Sequence, residues 1–265
     1  MKNTSLLIIF LIGIMAISSA NVYAEAANTL VSIRADYWMP SLDAEVMSSE
    51  LSLVGTQVDL VDDLGLDDSE NIPALTGSID LPLFPEILVG YFAVDSSASK
   101  LISKVINYKG VSYAASTTVS SSYEITHFEA LLNFGLIKTE MADLGLLVGA
   151  KYFEIETTLT NTVSGVTQTE SVEGPVPVLG VKGGVGLPGK FRIEGIGRGM
   201  VLEVGDVDAS LFDIDLGVHY DLNKFLRASV GYRYFAIDAE DTSNNVTDKA
   251  EIKFAGPYIG VTGSF

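Results

Sequence analysis

The 265-residue chain contains no cysteine, which excludes both a disulfide framework and thiolate-ligated metals. Positive charge is scarce as well: 16 Lys and Arg stand against 34 Asp and Glu, a formal net charge of −18. Nucleic acid is thereby excluded as a partner, because phosphate recognition needs clustered Lys and Arg. Long apolar runs are also missing after Glu25, where no stretch approaches 18 uninterrupted apolar residues. Any crossing of a bilayer by the mature chain must therefore be made by strands.

The one long apolar run lies at the start. Lys2 precedes the apolar stretch from Leu6 to Ile17, and Val22-Tyr23-Ala24 supplies small residues at a cleavage position. Residues 1–24 are read as a cleaved secretory signal and 25–265 as the mature domain. The run is shorter than the roughly 20 residues a spanning helix needs. With Lys2 removed, 15 basic residues face 34 acidic ones, a net charge of −19. A positive mean hydropathy with only 19% charged residues suits a barrel whose outer face meets lipid.

Period two recurs throughout. Val31, Ile33, Ala35 and Tyr37 share one strand face, and Ser32, Arg34 and Asp36 the other. The same reading predicts ten strands, near 29–39, 74–81, 86–96, 122–137, 144–157, 176–187, 190–204, 210–221, 226–238 and 250–265. Short turns alternate with the longer connections 40–73, 97–121, 158–175 and 239–249, with 205–209 as a short exception. This is the pattern of periplasmic turns and extracellular loops. The predicted fold is a single all-β antiparallel transmembrane barrel of about ten strands, with eight or twelve as the alternatives. Arginine at the bilayer midplane costs about 2–4 kcal/mol, so Arg192, Glu194 and Arg198 must face the lumen. Aromatic girdles are expected from Tyr37, Trp38, Tyr152, Tyr232 and Tyr234 outside, and from Phe134, Phe191, Tyr220 and Phe265 toward the periplasm. Segment 97–121 holds two β-like halves around Lys109-Gly110, expected to extend strands 3 and 4 as a hairpin above the membrane.

The last ten residues, Gly256 to Phe265, alternate small or polar side chains with apolar ones and end on a phenylalanine carboxylate, the form of a closing barrel strand. Val261 and Ile259 then face lipid, while Ser264, Thr262, Gly260 and Tyr258 face the lumen. Pro257 lacks a ladder donor and predicts a local irregularity there.

Four pieces together resemble a family of small proteobacterial outer-membrane β-barrel proteins. They are Asp62-Asp63-Leu64-Gly65-Leu66-Asp67-Asp68, Leu81-Pro82-Leu83-Phe84-Pro85, Gly174-Pro175-Val176-Pro177 and the closing Gly256-Pro257-Tyr258-Ile259-Gly260. The resemblance covers nearly all the mature chain and implies an integral outer-membrane barrel. It brings no established activity or catalytic residues. It also implies that Tyr258, Ile259, Val261 and Phe265 form an assembly signal, received by the barrel-assembly machinery after passage with periplasmic chaperones.

Three constellations are candidates for chemistry. Lumen-facing charges are Arg34, Lys151, Lys182, Arg192, Arg198, Arg227 and Arg233 against Asp36, Asp80, Glu129, Glu194, Asp213 and Asp215. Inward charges pair by default, for example Asp213 and Asp215 with Arg227 and Arg233, which fills the interior. The functional alternative is a polar pathway, although ten strands leave a plugged or very narrow lumen. The two histidines each share a strand face with a carboxylate, His127 with Glu129 and His219 with Asp215. A hydrolase would further need a nucleophile and an oxyanion hole, and no Gly-x-Ser-x-Gly motif occurs. Finally, residues 40–74 contain nine carboxylates and no Lys or Arg. Asp59, Asp62, Asp63, Asp67, Asp68 and Glu70 read either as a solvated face or as oxygen ligands for Ca²⁺, though without calcium-loop spacing.

The functional expectation is a non-enzymatic integral outer-membrane barrel that maintains the membrane or, porin-like, passes small solutes through a narrow, gated lumen. The alternative is a surface binding or adhesion barrel whose acidic loops meet cations or lipopolysaccharide; an outer-membrane hydrolase is a third. No cofactor beyond a candidate Ca²⁺ is expected.

Overall fold

The computed structural model describes residues 30–50, 53–82, 84–139, 141–243 and 246–265. The signal predicted over 1–24 lies outside the described residues. These form β1 (Val31–Trp38), β2 (Ser41–Ser48), β3 (Val58–Asp59), β4 (Ile72–Ile79), β5 (Glu86–Leu101), β6 (Ile106–Tyr108), β7 (Val111–Tyr113), β8 (Thr118–Lys138), β9 (Ala142–Asn161), β10 (Thr167–Leu187), β11 (Phe191–Val204), β12 (Val207–Asp221), β13 (Leu226–Ser243) and β14 (Val246–Ser264).

Ten of these close into an antiparallel barrel in the order β1-β4-β5-β8-β9-β10-β11-β12-β13-β14, with β14 returning to β1. This is the predicted ten-stranded barrel. Period-two alternation decides its faces. On β12, Leu211, Asp213, Asp215, Gly217 and His219 are buried inside, while Phe212, Ile214, Leu216, Val218 and Tyr220 are exposed outside. Exposed apolar residues continue around the wall as a belt, and only a hydrocarbon solvent makes such a belt favourable. Tyr37, Tyr91, Tyr152 and Tyr232 edge the belt on the long-loop side, and Phe84, Phe134, Phe191, Tyr220, Phe225 and Phe265 on the short-turn side. Trp38 departs from the expected girdle. It follows Tyr37 by one residue, so the pleat turns it inward, where it is buried and donates from Nε1 to the Gly256 carbonyl at 3.2 Å.

The irregularity expected at Pro257 falls on the facing chain instead. β14 keeps its register with β13 straight through Tyr232↔Pro257, so the missing donor points to the other side. There β1 ends at Trp38↔Tyr258 and β2 resumes at Ser41↔Ala255, leaving Met39-Pro40 as the break. Met39 N still donates to the Pro257 carbonyl at 2.9 Å. Glycine is required beside it: a Cβ on Gly256 would stand 2.2 Å from the Met39 carbonyl oxygen and 2.5 Å from Pro40 Cα.

Beyond the tyrosine girdle the wall divides into two sheets. β5, β8, β9 and β10 continue as one, and β11 to β14 with β2 and β3 as the other. Between them lies a cap made from the long first loop and the 102–117 segment. Strands 3 and 4 extend as expected as far as Leu101↔Thr118, but they do not continue as one hairpin through the whole segment. β5 ends at Leu101, β8 starts at Thr118, and β6–β7 folds back as a separate two-stranded sheet turned by Lys109 (φ 46°) and Gly110 (φ 70°). Burial explains the fold-back: Ile102, Ile106, Tyr108 and Tyr113 pack into a core with Val58, Leu60, Leu64 and Leu66 of the acidic loop. Thr56 N to the Asn107 carbonyl (2.9 Å) and Lys109 N to the Ser48 carbonyl (3.3 Å) tie the two pieces together.

Candidate functional site

The barrel interior is layered. Nearest the cap, Trp38, Phe92, Phe153, Phe235 and Phe254 form an aromatic layer of edge and tilted contacts. His127 is stacked on Phe92 at 4.5 Å between ring centroids and tilted against Phe153 at 4.9 Å.

Below it lies a charge layer of four cations and four carboxylates contributed by six strands. Lys151 reaches Glu129 (2.8 Å) and Asp213 (2.6 Å); Arg198 reaches the same two at 2.6 and 3.0 Å. Arg233 holds Asp213 through Nη2 at 2.8 Å and Nε at 3.0 Å. Arg34 bridges Asp36 (2.8 Å) and Asp215 (2.6 Å), and Tyr258 donates to Asp215 at 2.7 Å. Equal numbers of opposite charges let this layer be buried without a bare ion. Arg233 also lies 5.0 Å from the Trp38 ring and 5.3 Å from Phe92, which couples the two layers.

A third, wetter layer opens at the short-turn end. Lys182 pairs with Glu86 (2.8 Å), Asn133 donates to Glu86 (2.7 Å), and Arg192 pairs with Glu194 (2.7 Å) and with Asp143. With the rim, these side chains line a vestibule of about 730 Å³. Between vestibule and cap, a void lined by Arg34, His127, Glu129, Arg198, Asp215 and Arg233 among others holds about 10 Å³. That is room for about one water.

The structure therefore brings twelve of the thirteen proposed lumen charges inside, but divides them between two layers. Arg227 pairs with Asp221 (2.7 Å) and Glu194 (3.0 Å) rather than with Asp215. Asp80 is the thirteenth. It follows the end of β4 and sits on the exposed rim, paired with Lys138 at 2.6 Å. Glu86 and Asp143 lie outside the predicted set; Glu86 shares the inward parity of Leu88, Gly90 and Phe92, which the alternation already contains.

Among the described residues neither histidine hydrogen-bonds a hydroxyl nucleophile. His127 Nε2 is 3.3 Å from Lys151 Nζ. His219 faces Ser229 across the β12–β13 ladder, but among the described residues neither of its ring nitrogens nor the serine Oγ has a hydrogen-bond partner. His219 Nε2 is 3.8 Å from Glu194.

The acidic loop carboxylates are dispersed over local partners. Asp59 accepts from the amides of Val61 (2.8 Å) and Asp62 (2.7 Å), and Asp63 accepts from Asp59 N (3.0 Å) and pairs with Lys104 (2.6 Å). Tyr123 donates to Glu70 at 2.8 Å, while Asp67 and Asp68 are exposed. Burial and this carboxylate push the Tyr123 phenol above its ordinary range. Among the described residues no three His, Asp or Glu side chains converge as a metal cage. On the closing strand Ile259, Val261 and Phe265 are exposed outward, whereas Tyr258 is buried in the lumen.

No family model matches the chain, and no curated protein matches it. Among solved structures, the outer membrane protease OmpT from Escherichia coli is similar at 11% identity and a TM-score of 0.57, over 92% of this chain and 99% of that one. The translocator domain of the autotransporter NalP from Neisseria meningitidis, also 11% identical, gives a TM-score of 0.45 over 99% and 98% of the two chains. The likeness to the protease is one of fold: both chains build a membrane barrel of this kind.

Proposed function

We propose that this protein is an integral, non-enzymatic outer-membrane barrel that acts at its external head, the cap with the strand ends beyond the tyrosine girdle, rather than as an open conduit. The filled lumen carries this reading. An aromatic layer and a neutral charge layer lie in series, and a solute has no path past them without displacing ion pairs. Its action is then at a surface, and the long-loop end, with its own packed core, is the larger one. In this reading the belt meets membrane lipid and the head meets lipopolysaccharide or cationic groups. The closing strand is delivered to the barrel-assembly machinery. Purified protein in planar bilayers is expected to be electrically silent; stepwise single-channel conductance would overturn the proposal.

The vestibule favours a second reading, in which small solutes enter from the periplasmic side and pass only when the charge layer rearranges. Conductance that appears on Arg233→Ala but not in the parent chain would support it.

A further inference from the structure

β10 and β11 pair from Leu187↔Phe191 up to Leu179↔Gly199 and no further, although both strands continue. Residues 174–178 of β10 and 200–204 of β11 are thus unpaired with each other over about 17 Å of each strand at roughly 3.4 Å per residue. The cause is local. Pro175 and Pro177 carry no N–H, and the β9–β10 ladder passes both without a break, so their absent donors lie on the β11 side. The seam is placed at the edge of the apolar belt: Pro175 stands opposite Tyr152 of the girdle, and Pro177 opposite Ala150, two residues closer to the belt's centre.

Three classes of occupant are conceivable, and the residues select among them. A β-strand is disfavoured, since the two prolines remove the donors that strand addition would use. The exposed Glu203 at the outer end of the seam suits water, but the side chains below it do not. Val176, Val178 and Met200 on the inward face pack against the barrel core, and Leu179 and Val201 on the outward face are 67% and 68% exposed. An apolar chain meets all of them, and the belt places hydrocarbon next to the opening. We propose that the seam between 174–178 and 200–204 is a lateral binding site for an acyl chain of a surrounding membrane lipid, which enters the wall and touches the inward-facing Val176 and Met200.

The absence of cysteine makes the test clean. Bimane is attached to a single cysteine in Met200→Cys, and the full chain is refolded into phosphatidylcholine vesicles with a nitroxide on the acyl chain. Leu216→Cys marks the lipid-facing limit, and Ser229→Cys marks an inward position behind a closed wall. Quenching at 200 several-fold above that at 229, and close to that at 216, is expected; quenching no greater than at 229 overturns the site. If Met200→Cys does not fold, Val176→Cys replaces it with the same two limits. In a second measurement, Val176→Cys/Leu202→Cys, whose positions would face each other if the ladder continued, stays reduced under mild oxidant. Complete cross-linking in vesicles would mean a closed wall and would overturn the proposal.

Discussion

Lys151 Nζ and Asp213 Oδ2 meet 2.6 Å apart in the middle of the barrel, and neither side chain exposes any surface. Asp213 also holds Arg198 and Arg233, so one carboxylate keeps three cations together. Asp213→Asn removes the carboxylate the three cations share and leaves Lys151 and Arg198 paired only through Glu129, and a broken buried pair typically costs about 3–5 kcal/mol. Urea unfolding of the reconstituted barrel should show a loss of that size. A change below about 1 kcal/mol would mean that water already screens the layer.

Tyr258 lies across two glycines. A Cβ on Gly231 would stand 2.5 Å from its Cζ and hydroxyl and from the Leu216 carbonyl oxygen, and one on Gly217 would stand 2.4 Å from the hydroxyl. Gly231→Ala is therefore expected to destabilise by about 1–3 kcal/mol through overpacking. Tyr258→Phe should cost about 1.5–3 kcal/mol, because the lost bond is to the charged Asp215. In the double variant the costs should add to less than their sum, since both act on one contact.

The barrel was legible in the sequence because its signal is parity. Once Arg192, Glu194 and Arg198 are denied the lipid, the pleat assigns their strand, and neighbouring strands follow by pairing. Parity also contained the inward turn of Trp38, which an expectation of aromatic girdles overrode. The cap was not legible. Leu60, Leu64 and Leu66 are each set among aspartates, and neither period two nor period 3.6 links them to Ile106 or Tyr113 some 40 residues on. Only the folded-back hairpin makes them one core. The division of the charges into two layers was equally hidden, because parity gives the face of a residue and not its height.

The cap has its own alkaline limit. Burial, with the Asp248 carboxylate nearby, pushes the Tyr108 phenol from 10.0 up to about 12. A raised phenol is neutral in the folded head while the unfolded chain already ionises. Its stabilising contribution is complete below pH 10 and is lost as pH rises through about 12. Proteolysis within 102–117 should therefore accelerate between about pH 10 and 12 while the strands persist by circular dichroism. Tyr108→Phe should flatten that dependence. An unchanged profile in the variant would assign the alkaline transition to another group.

Asp95, Glu124 and Glu156 stand directly opposite one another on the outer face of β5, β8 and β9, and no ion pair reaches any of them among the described residues. Like charges opposed across strands destabilise by about 0.2–1 kcal/mol per pair. Glu124→Gln relieves both pairs at once, so the variant should be more stable than the parent at low salt. The gain should shrink in about 1 M salt, where the screening length falls to about 3 Å. Glu124→Lys should gain more, because it sets a cation between two carboxylates. A salt-independent gain would point instead to the strand propensity of the new side chain. If the gain is electrostatic, this row costs the fold stability, and its presence on the head, just beyond Tyr91 and Tyr152, is better explained by what approaches that surface than by what holds it together.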